Sequence, residues 1–177
     1  IKKLRHYFNK YKIDGYVVPK NDEYFSEYSE VNRLNTISNF SGSAGIAIIL
    51  KNKNYLFVDG RYTLQAKIES GKYFTLVSYD KIINCKLFKN LTLGIDSKLL
   101  TSSQVKNYFS KYNKVKIIDN NLIDKIKKFP LKRNKPFYSL DNKIVGQGHF
   151  SKISNIATYL QKKKGRLYFN FCTRKYS

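Results

Sequence analysis

The amino-acid sequence predicts an α/β domain, a mixed β-sheet flanked by helices. Short apolar runs rich in β-branched and aromatic residues alternate with segments whose apolar positions repeat at helical spacing. Polar turns with glycine, asparagine or proline separate the two kinds of segment. The chain has 177 residues, 42% of them hydrophobic, which is enough for one ordinary globular domain with a short appendage.

The chain opens with a predicted amphipathic helix that lies on the sheet and ends at Asp14-Gly15. Its apolar positions are Ile1, Leu4, Phe8 and Tyr11. A short strand over residues 16–18 follows, and it stops at Pro19 because proline cannot donate to a sheet ladder.

Two apolar runs, 45–50 and 55–58, predict a β-hairpin at the centre of the sheet, because only the polar residues 51–54 separate them. The remaining predicted elements are a helix over 61–70, strands over 73–78 and 91–95, a helix capped by Ser102 or Ser103, and a strand over 115–118.

The sequence divides into a body and an appendage near Pro130. The body, residues 1–130, contains all the predicted strands, and residues 131–147 form a linker whose first part, 131–136, is basic and bounded by prolines. Residues 148–163 predict one further amphipathic helix with no strand after it. Residues 164–177 show neither helical nor strand periodicity and are expected to form an irregular tail.

A formal net charge of +22 raises the hypothesis of nucleic-acid binding, because clustered lysines release phosphate counterions. The positive charges are spread along the chain, and no recognisable nucleic-acid module organises them. Lysine, asparagine, isoleucine and tyrosine are enriched together, as a biased codon usage would produce. We therefore do not expect nucleic acid as a partner.

Neither a membrane span nor a secretion signal is predicted. No apolar run approaches the roughly 20 residues that a transmembrane helix needs. The basic N-terminus is not followed by an apolar core and a small-residue cleavage site. Cys85 and Cys172 have no CxxC partner and are expected to be free thiols, so the predicted location is cytoplasmic.

No set of side chains in the sequence assembles a hydrolytic site. A metal centre needs several converging histidine, carboxylate or cysteine ligands, and His6 and His149 are isolated. The acidic residues between 22 and 30 lie in a predicted loop. We therefore predict no catalytic residue, no metal ligand and no cofactor in this chain.

A serine and two glycines precede strand 45–50. Ser43 lies in a Ser-Gly-Ser-Ala-Gly segment, but Ser41 stands where a nucleophile elbow needs a glycine. Gly42 and Gly45 are interpreted instead as a tight turn into the strand. The segment is therefore predicted to be structural.

Asp59, Gly60, Arg61 and Tyr62 lie at the exit of the most apolar strand, where a helix begins. Asp59 in this position is suited to capping the helix. That leaves the Arg61 guanidinium available to bind a carboxylate through two N–H groups. An internal salt bridge to an aspartate or glutamate is the alternative, and local chemistry favours neither.

Taken in order, several segments resemble the creatinase-type N-terminal domain of Xaa-Pro aminopeptidases. They are Val17-Val18-Pro19, Asp22-Glu23, Ser26-Glu27-Tyr28, Arg33, residues 37–45 (ISNFSGSAG), residues 58–62 (VDGRY), Gln65-Ala66 and Gly94-Ile95-Asp96. Each segment is a weak signal alone, and the ordered combination is specific. The resemblance covers residues 1–130, and residues 148–160 resemble the first helix of the second domain in three-domain members of the family.

The resemblance implies a cytosolic peptidase that removes an N-terminal residue preceding proline. It implies a two-metal site, often manganese, in a C-terminal domain whose ligands lie beyond the last residue of this chain. It further implies that Arg61 binds substrate and that the N-terminal domains contribute to dimer contacts. The expected partners are therefore a second copy in a homodimer or a separate catalytic domain, with peptide contact only in a full-length enzyme.

Three departures from the family pattern bear on function. Tyr24 stands where the family usually has a histidine, and Phe57 is the aromatic residue before the DGRY segment. The second domain stops after one helix, which predicts a truncated chain. We expect a non-catalytic N-terminal domain or truncated remnant that is not an enzyme alone. The alternative is a basic module that binds nucleic acid or another acidic partner.

Overall fold

The computed structural model describes residues 1–26, 31–83, 85–129, 138 and 140–162. The chain divides into two compact units, Ile1–Leu131 and Lys132–Ser177. The predicted connector at 131–136 and the predicted tail at 164–177, with Cys172, lie outside the described residues.

The first unit alternates strands and helices, as predicted. Its regular elements are α1 (Lys2–Tyr11), β1 (Gly15–Pro19), α2 (Arg33–Ser38), β2 (Gly45–Leu50), β3 (Asn54–Val58), α3 (Thr63–Ser70), β4 (Thr75–Ser78), β5 (Thr92–Ile95), α4 (Ser102–Val105), β6 (Lys114–Ile117) and α5 (Leu122–Ile126). Short 3-10 helices cover Gly60–Tyr62 and Tyr79–Ile82, and a π-helical turn covers Lys106–Ser110. In the second unit, α6 (Asn142–Val145) precedes α7 (His149–Lys162).

The six strands form one mixed sheet in the order β4-β3-β2-β1-β5-β6. Strand β2 is antiparallel to both of its neighbours, and the other neighbouring pairs are parallel. Five strands therefore point the same way, which confirms the predicted mixed sheet. The predicted hairpin is present as β2 and β3, but the centre of the sheet is the pair of β2 and β1.

Each face of the sheet carries its own hydrophobic core, because successive side chains along a strand point to opposite faces. Tyr16 and Val18 belong to one core, and Val17 belongs to the other. The first core includes buried residues from α1, α2 and α5, and the second includes residues from the 3-10 helix Tyr79–Ile82 and the π-helical turn. The sheet is thus buried on both sides, as an α/β fold requires.

Helix α1 ends one turn earlier than predicted. Its C-terminal cap is Lys12, which adopts the left-handed conformation at φ 49° and donates its N–H back to the last turn. Gly15 does not end the helix but begins β1. A Cβ at this position would lie 2.9 Å from the carbonyl oxygen of Ile49, so the glycine allows the two strands to approach.

Two helices start at other residues than predicted, and two short helices were not predicted at all. Thr101, and not Ser102 or Ser103, caps α4, in a capping box with Gln104. The predicted 61–70 helix is α3 preceded by a 3-10 turn. Helices α2 and α5 were not predicted, because six and five residues are too few to show a helical period.

The helix predicted over 148–163 is present as α7 (His149–Lys162). None of its residues is buried, and Phe150 and Tyr159 are among its exposed aromatic side chains. Its assignment to a second domain stays a prediction.

Candidate functional site

The carboxyl ends of five strands meet at one edge of the sheet, because β1, β3, β4, β5 and β6 point the same way. We call this the carboxyl edge, formed by the segments that follow these strands. In open α/β sheets ligands bind outside the carboxyl ends of strands. The DGRY segment follows β3 and therefore lies at this edge.

Asp59 organises the DGRY turn, as the sequence predicted. Its Oδ1 accepts hydrogen bonds from the backbone N–H of Arg61 at 3.0 Å and from Arg61 Nε at 2.9 Å. Its backbone carbonyl accepts the N–H of Tyr62 at 2.9 Å. One carboxylate thus caps the turn and orients the side chain of Arg61.

The structure shows the internal salt bridge that the sequence left as the alternative for Arg61. The Arg61 side chain nevertheless remains 76% exposed, and its guanidinium carbon lies 5.7 Å from the centre of the Tyr62 ring. The pKa of Asp59 is held below its usual range by the hydrogen bonds from the Arg61 side chain and backbone. Arg61 is therefore both locally fixed and solvent-facing.

Tyr62 ties the turn to the loop before β2. Its hydroxyl shares a hydrogen bond with the Ser43 hydroxyl at 2.8 Å, and its ring packs edge-on against Phe40 with centroids 5.8 Å apart. The partner that the structure shows for Ser43 is thus a tyrosine hydroxyl and not a general base. This arrangement supports a structural role for Ser43.

A second contact fixes the same loop to α3. The Glu69 carboxylate accepts hydrogen bonds from the Ser41 backbone and hydroxyl, both at 2.7 Å. Gln65 Nε2 donates to the Ser41 hydroxyl at 2.7 Å and to Glu69 at 3.0 Å. The loop therefore cannot move away from α3 without breaking several hydrogen bonds.

Gly42 and Gly45 have a packing reason for lacking a side chain. A Cβ on Gly42 would lie 2.2 Å from Cζ of the buried Phe40 ring. A Cβ on Gly45 would lie 3.2 Å from the Leu34 side chain and from the Phe57 carbonyl oxygen. Neither glycine has a positive φ, so close packing, and not left-handed backbone, accounts for them.

A small cavity of about 110 Å³ lies beside Ser43 at the carboxyl edge. Its lining residues are Lys20, Asn21, Ser43, Ala44, Gly45, Ile46 and Tyr79. Burial, with Tyr108 adding to it, raises the pKa of Tyr79 to about 12, so its phenol stays protonated at neutral pH. The described residues of its lining offer hydrogen-bonding groups.

Asp96 is buried at the same edge, directly after β5. Its carboxylate accepts the Asn121 side-chain amide at 2.9 Å and the Lys98 backbone N–H at 3.0 Å. Asn121 in turn caps α5 by accepting the N–H of Ile123. Asp96 therefore connects the end of β5 to the start of α5 through hydrogen bonds, which indicates a structural role.

Arg33 forms an ion cluster that the sequence did not reveal. It donates to both carboxylate oxygens of Asp124, at 2.8 and 2.9 Å, and to Glu23 at 3.0 Å. Its side chain is only 7% exposed. Burial by itself would lower the pKa of Arg33, but Asp124 and Glu23 raise it above its ordinary value. Arg33 and Asp124 are 91 positions apart in the sequence, so no local pattern could predict this pair.

The described residues do not fit a resident metal ion. No group of three His, Cys, Asp or Glu side chains in this part of the chain is placed to hold one. His6 is exposed on α1, and His149 is exposed and lies against the Phe150 ring. Cys85 is a buried free thiol, as predicted.

The described helices are all too short or too polar to cross a bilayer.

Comparisons with known proteins identify the same domain. The family model for the creatinase/prolidase N-terminal domain matches residues 1–126. A probable Xaa-Pro aminopeptidase P of Laccaria bicolor is 34% identical over 178 residues, which cover 92% of this chain and 28% of that protein. The Xaa-Pro aminopeptidase 1 of Dictyostelium discoideum is 29% identical, covering 94% of this chain and 30% of its own length.

Solved structures show the same fold. The X-prolyl aminopeptidase of Caenorhabditis elegans, described as a cytosolic enzyme with a di-nuclear active site, superposes with a TM-score of 0.74 at 24% identity. The match covers 92% of this chain and 31% of that enzyme. The N-terminal domain of the cytoplasmic peptidase PepQ from Mycobacterium tuberculosis superposes with a TM-score of 0.53 at 16% identity, over 71% of this chain and 95% of that domain.

The matched relatives extend well beyond the region that they share with this chain. The chain spans 28 to 30% of the length of four Xaa-Pro aminopeptidases that it matches. The ordered motifs, the mixed sheet and the family model agree over the same residues, and the chain belongs to the creatinase/prolidase N-terminal domain family.

Proposed function

We propose that this chain acts as the N-terminal, non-catalytic part of a Xaa-Pro aminopeptidase, which removes an N-terminal residue preceding proline. The relatives that carry this name support the proposal. Hydrolysis takes place in a separate metal-binding part, with manganese as the proposed metal. The observation that carries the proposal is the exposed and oriented Arg61 at the carboxyl edge.

Arg61 is the proposed substrate-binding residue. Asp59 accepts the N–H on Nε of Arg61 and so orients its guanidinium. A charged donor that is 76% exposed is suited to a carboxylate or a peptide carbonyl oxygen of a bound substrate. The Ser43–Tyr62 hydrogen bond and the Asp59 cap hold the turn that presents it.

The proposed partners are the catalytic part of the enzyme and a second copy of the chain in a homodimer. We propose a cytoplasmic location, which the buried free thiol of Cys85 supports. The relatives reported above are peptidases, and nothing in them favours the alternative of a nucleic-acid-binding module.

A chimaeric enzyme tests the role of Arg61. In the chimaera, this chain replaces the matched N-terminal stretch of the Laccaria bicolor relative, and turnover of an Xaa-Pro peptide is measured with Mn²⁺. We expect Arg61→Met to lower kcat/KM by about 10- to 100-fold, because a hydrogen bond to a charged group contributes about 1.5–3 kcal/mol.

The conservative variant Arg61→Lys should recover part of that loss, because it keeps the charge without the planar pair of donors. The matched control is Leu87→Met, at a half-exposed leucine outside the DGRY turn. An unchanged kcat/KM in Arg61→Met, or turnover by the 177-residue chain alone, contradicts the proposal.

A further inference from the structure

Helices α1 and α5 flank a groove of about 570 Å³, which we call the α1–α5 groove. Its basic lining residues are Lys2, Lys3, His6 and Lys10 of α1 and Lys125 of α5. Among the described residues that line it, none carries a carboxylate. The volume lies within the range of small-molecule sites, roughly 300–1,000 Å³. A cleft lined by one sign of charge concentrates the field and attracts ions of the opposite sign.

The two walls of the groove are fixed to each other through a shared core. Leu4 and Phe8 of α1 belong to the same hydrophobic core as Leu122 and Ile123 of α5. The inner sides of both helices are therefore buried against the sheet, and the groove lies between positions that the fold holds in place.

The α1 side of the groove is one face of the helix. Each of its five lining residues has another one three or four positions away, and all five lie inside the α-helix Lys2–Tyr11. This helix contains no aspartate or glutamate. From Lys2 to Lys10 the face extends over about 12 Å. Positive charges on one helical face repel each other, and a bound anion would remove that repulsion.

Lys125 is held against α1 by a tyrosine. Its ammonium group donates to the Tyr11 hydroxyl and lies 5.0 Å from the centre of the Tyr11 ring. The Tyr11 ring in turn lies against the Tyr7 ring, with centroids 6.3 Å apart. A cation that is already positioned in this way loses less conformational freedom when an anion binds.

Charged residues next to the groove are engaged elsewhere. Asp124 precedes Lys125 in the sequence, but both of its carboxylate oxygens accept hydrogen bonds from Arg33. Arg5 of α1 donates to two residues at the turn of the β2–β3 hairpin. The described lining thus offers ammonium groups and an imidazole. Ammonium groups bind phosphate as point charges, whereas carboxylates pair best with the planar fork of a guanidinium.

We propose that the α1–α5 groove binds a linear phosphate chain, as found in a nucleoside triphosphate or an inorganic polyphosphate. Such a chain carries several negative charges in a row, which suits ammonium groups spread over about 12 Å of helix. Tyr7 and Ile126 are half-buried and add apolar contact area to the lining. The lining includes no residue of the DGRY turn, so this inference goes beyond the proposed function and does not depend on it.

The two histidines of the chain allow a site-resolved measurement. His6 lines the groove, and His149 is exposed on α7. Sodium tripolyphosphate is titrated into the 177-residue chain at about 0.15 M salt, which screens exposed charges, and the imidazole resonances are followed by NMR. We expect a saturable shift of the His6 resonances and little change at His149. Equal shifts at both histidines, or no saturable shift at His6, overturn the proposal.

Charge-matched variants separate the groove from the net charge of +22. The double variant Lys3→Gln/Lys10→Gln removes two lysines of the groove. The control Lys86→Gln/Lys98→Gln removes two exposed lysines that do not line it. Calorimetric titration with tripolyphosphate should show one site per chain, weakened at least about tenfold in the groove variant and less than about twofold in the control. Equal weakening in both would show that net charge alone attracts the anion, which overturns the proposal.

Further ligands identify the chemistry of the site. Tighter binding of ATP than of tripolyphosphate identifies a nucleotide, and equal or weaker binding of ATP identifies the phosphate chain alone. Citrate, which is anionic through carboxylates, should bind at least about tenfold more weakly, and equal binding overturns the assignment to phosphate. An affinity for single-stranded DNA that rises with its length, without a tripolyphosphate site, overturns the proposal and assigns the groove to nucleic acid.

Discussion

Two arginines of this domain are each paired with an aspartate, yet their surroundings are opposite. Arg33 is 7% exposed and contacts Asp124 and Glu23, which come from distant parts of the chain. Arg61 is 76% exposed and contacts Asp59, two residues before it. Arg33 therefore joins α2 to α5 and to the loop after β1, whereas Arg61 is held by its own turn.

This difference in burial indicates that Arg33 stabilises the fold, whereas Arg61 is held at the surface and faces solvent. Removing Arg33 takes away a buried guanidinium that two carboxylates share, while removing Arg61 takes away a guanidinium that is 76% exposed. Surface ion pairs contribute about 0–1 kcal/mol, and breaking a buried one costs several times more. We therefore expect Arg61 to matter less for folding than Arg33, which is consistent with the binding role proposed for it.

The largest expected effect is on the stability of the Arg33 variant. Arg33→Met should lower the free energy of unfolding by about 2–3 kcal/mol, less than for a fully buried pair because Asp124 and Glu23 are each 40% exposed. The matched variant Arg61→Met should change it by less than about 0.5 kcal/mol. Urea unfolding of the 177-residue chain measures both values, and equal losses would remove the distinction between the two arginines.

A smaller effect is expected from adding one methyl group at either of two glycines. Gly42 lies in the loop before β2, and Gly60 lies in the DGRY turn. Gly42→Ala should destabilise the chain by about 1–3 kcal/mol, because the new Cβ would overlap the buried Phe40 ring. Gly60→Ala should be neutral or slightly stabilising, since no atom of the described residues lies within 4 Å of the added Cβ. Thermal unfolding of both variants checks this, and a large loss in Gly60→Ala would show that Gly60 is needed by the fold itself.

The smallest expected effect concerns the ionisation of Asp59. NMR titration of the chain should give Asp59 a pKa below its usual range, and Arg61→Met should move that pKa upward toward the ordinary range of an aspartate. Because the pKa is lowered in the folded state, any stability from the pair is present above the unfolded value and is lost as pH falls through the folded one.

Asp80 is the control for this titration, because its pKa is lowered by a hydrogen bond from Ser78 and not by Arg61. Its pKa should be the same in both proteins. An Asp59 pKa that does not respond to Arg61→Met would show that the salt bridge is not populated in solution.

Most of the fold was predictable because strands and long amphipathic helices leave a period in the sequence. The β2–β3 hairpin and α1 follow directly from apolar runs and helical spacing. The cap by Asp59 was predictable for a similar reason, since donor and acceptor lie two residues apart. Helices α2 and α5 were missed because their stability comes from burial against the sheet and not from local pattern.

The sequence by itself determined the fold class, the family and the capped DGRY turn. Hydrophobic periods, short motifs and a helix cap are each visible in residues that lie close together in the chain. Only the tertiary structure decided which arginine is buried, why Gly42 lacks a side chain, and that Leu64 and Ile68 of α3 are exposed. These features depend on contacts between segments far apart in sequence, or on what the fold leaves uncovered. No local pattern of residue types records either of them.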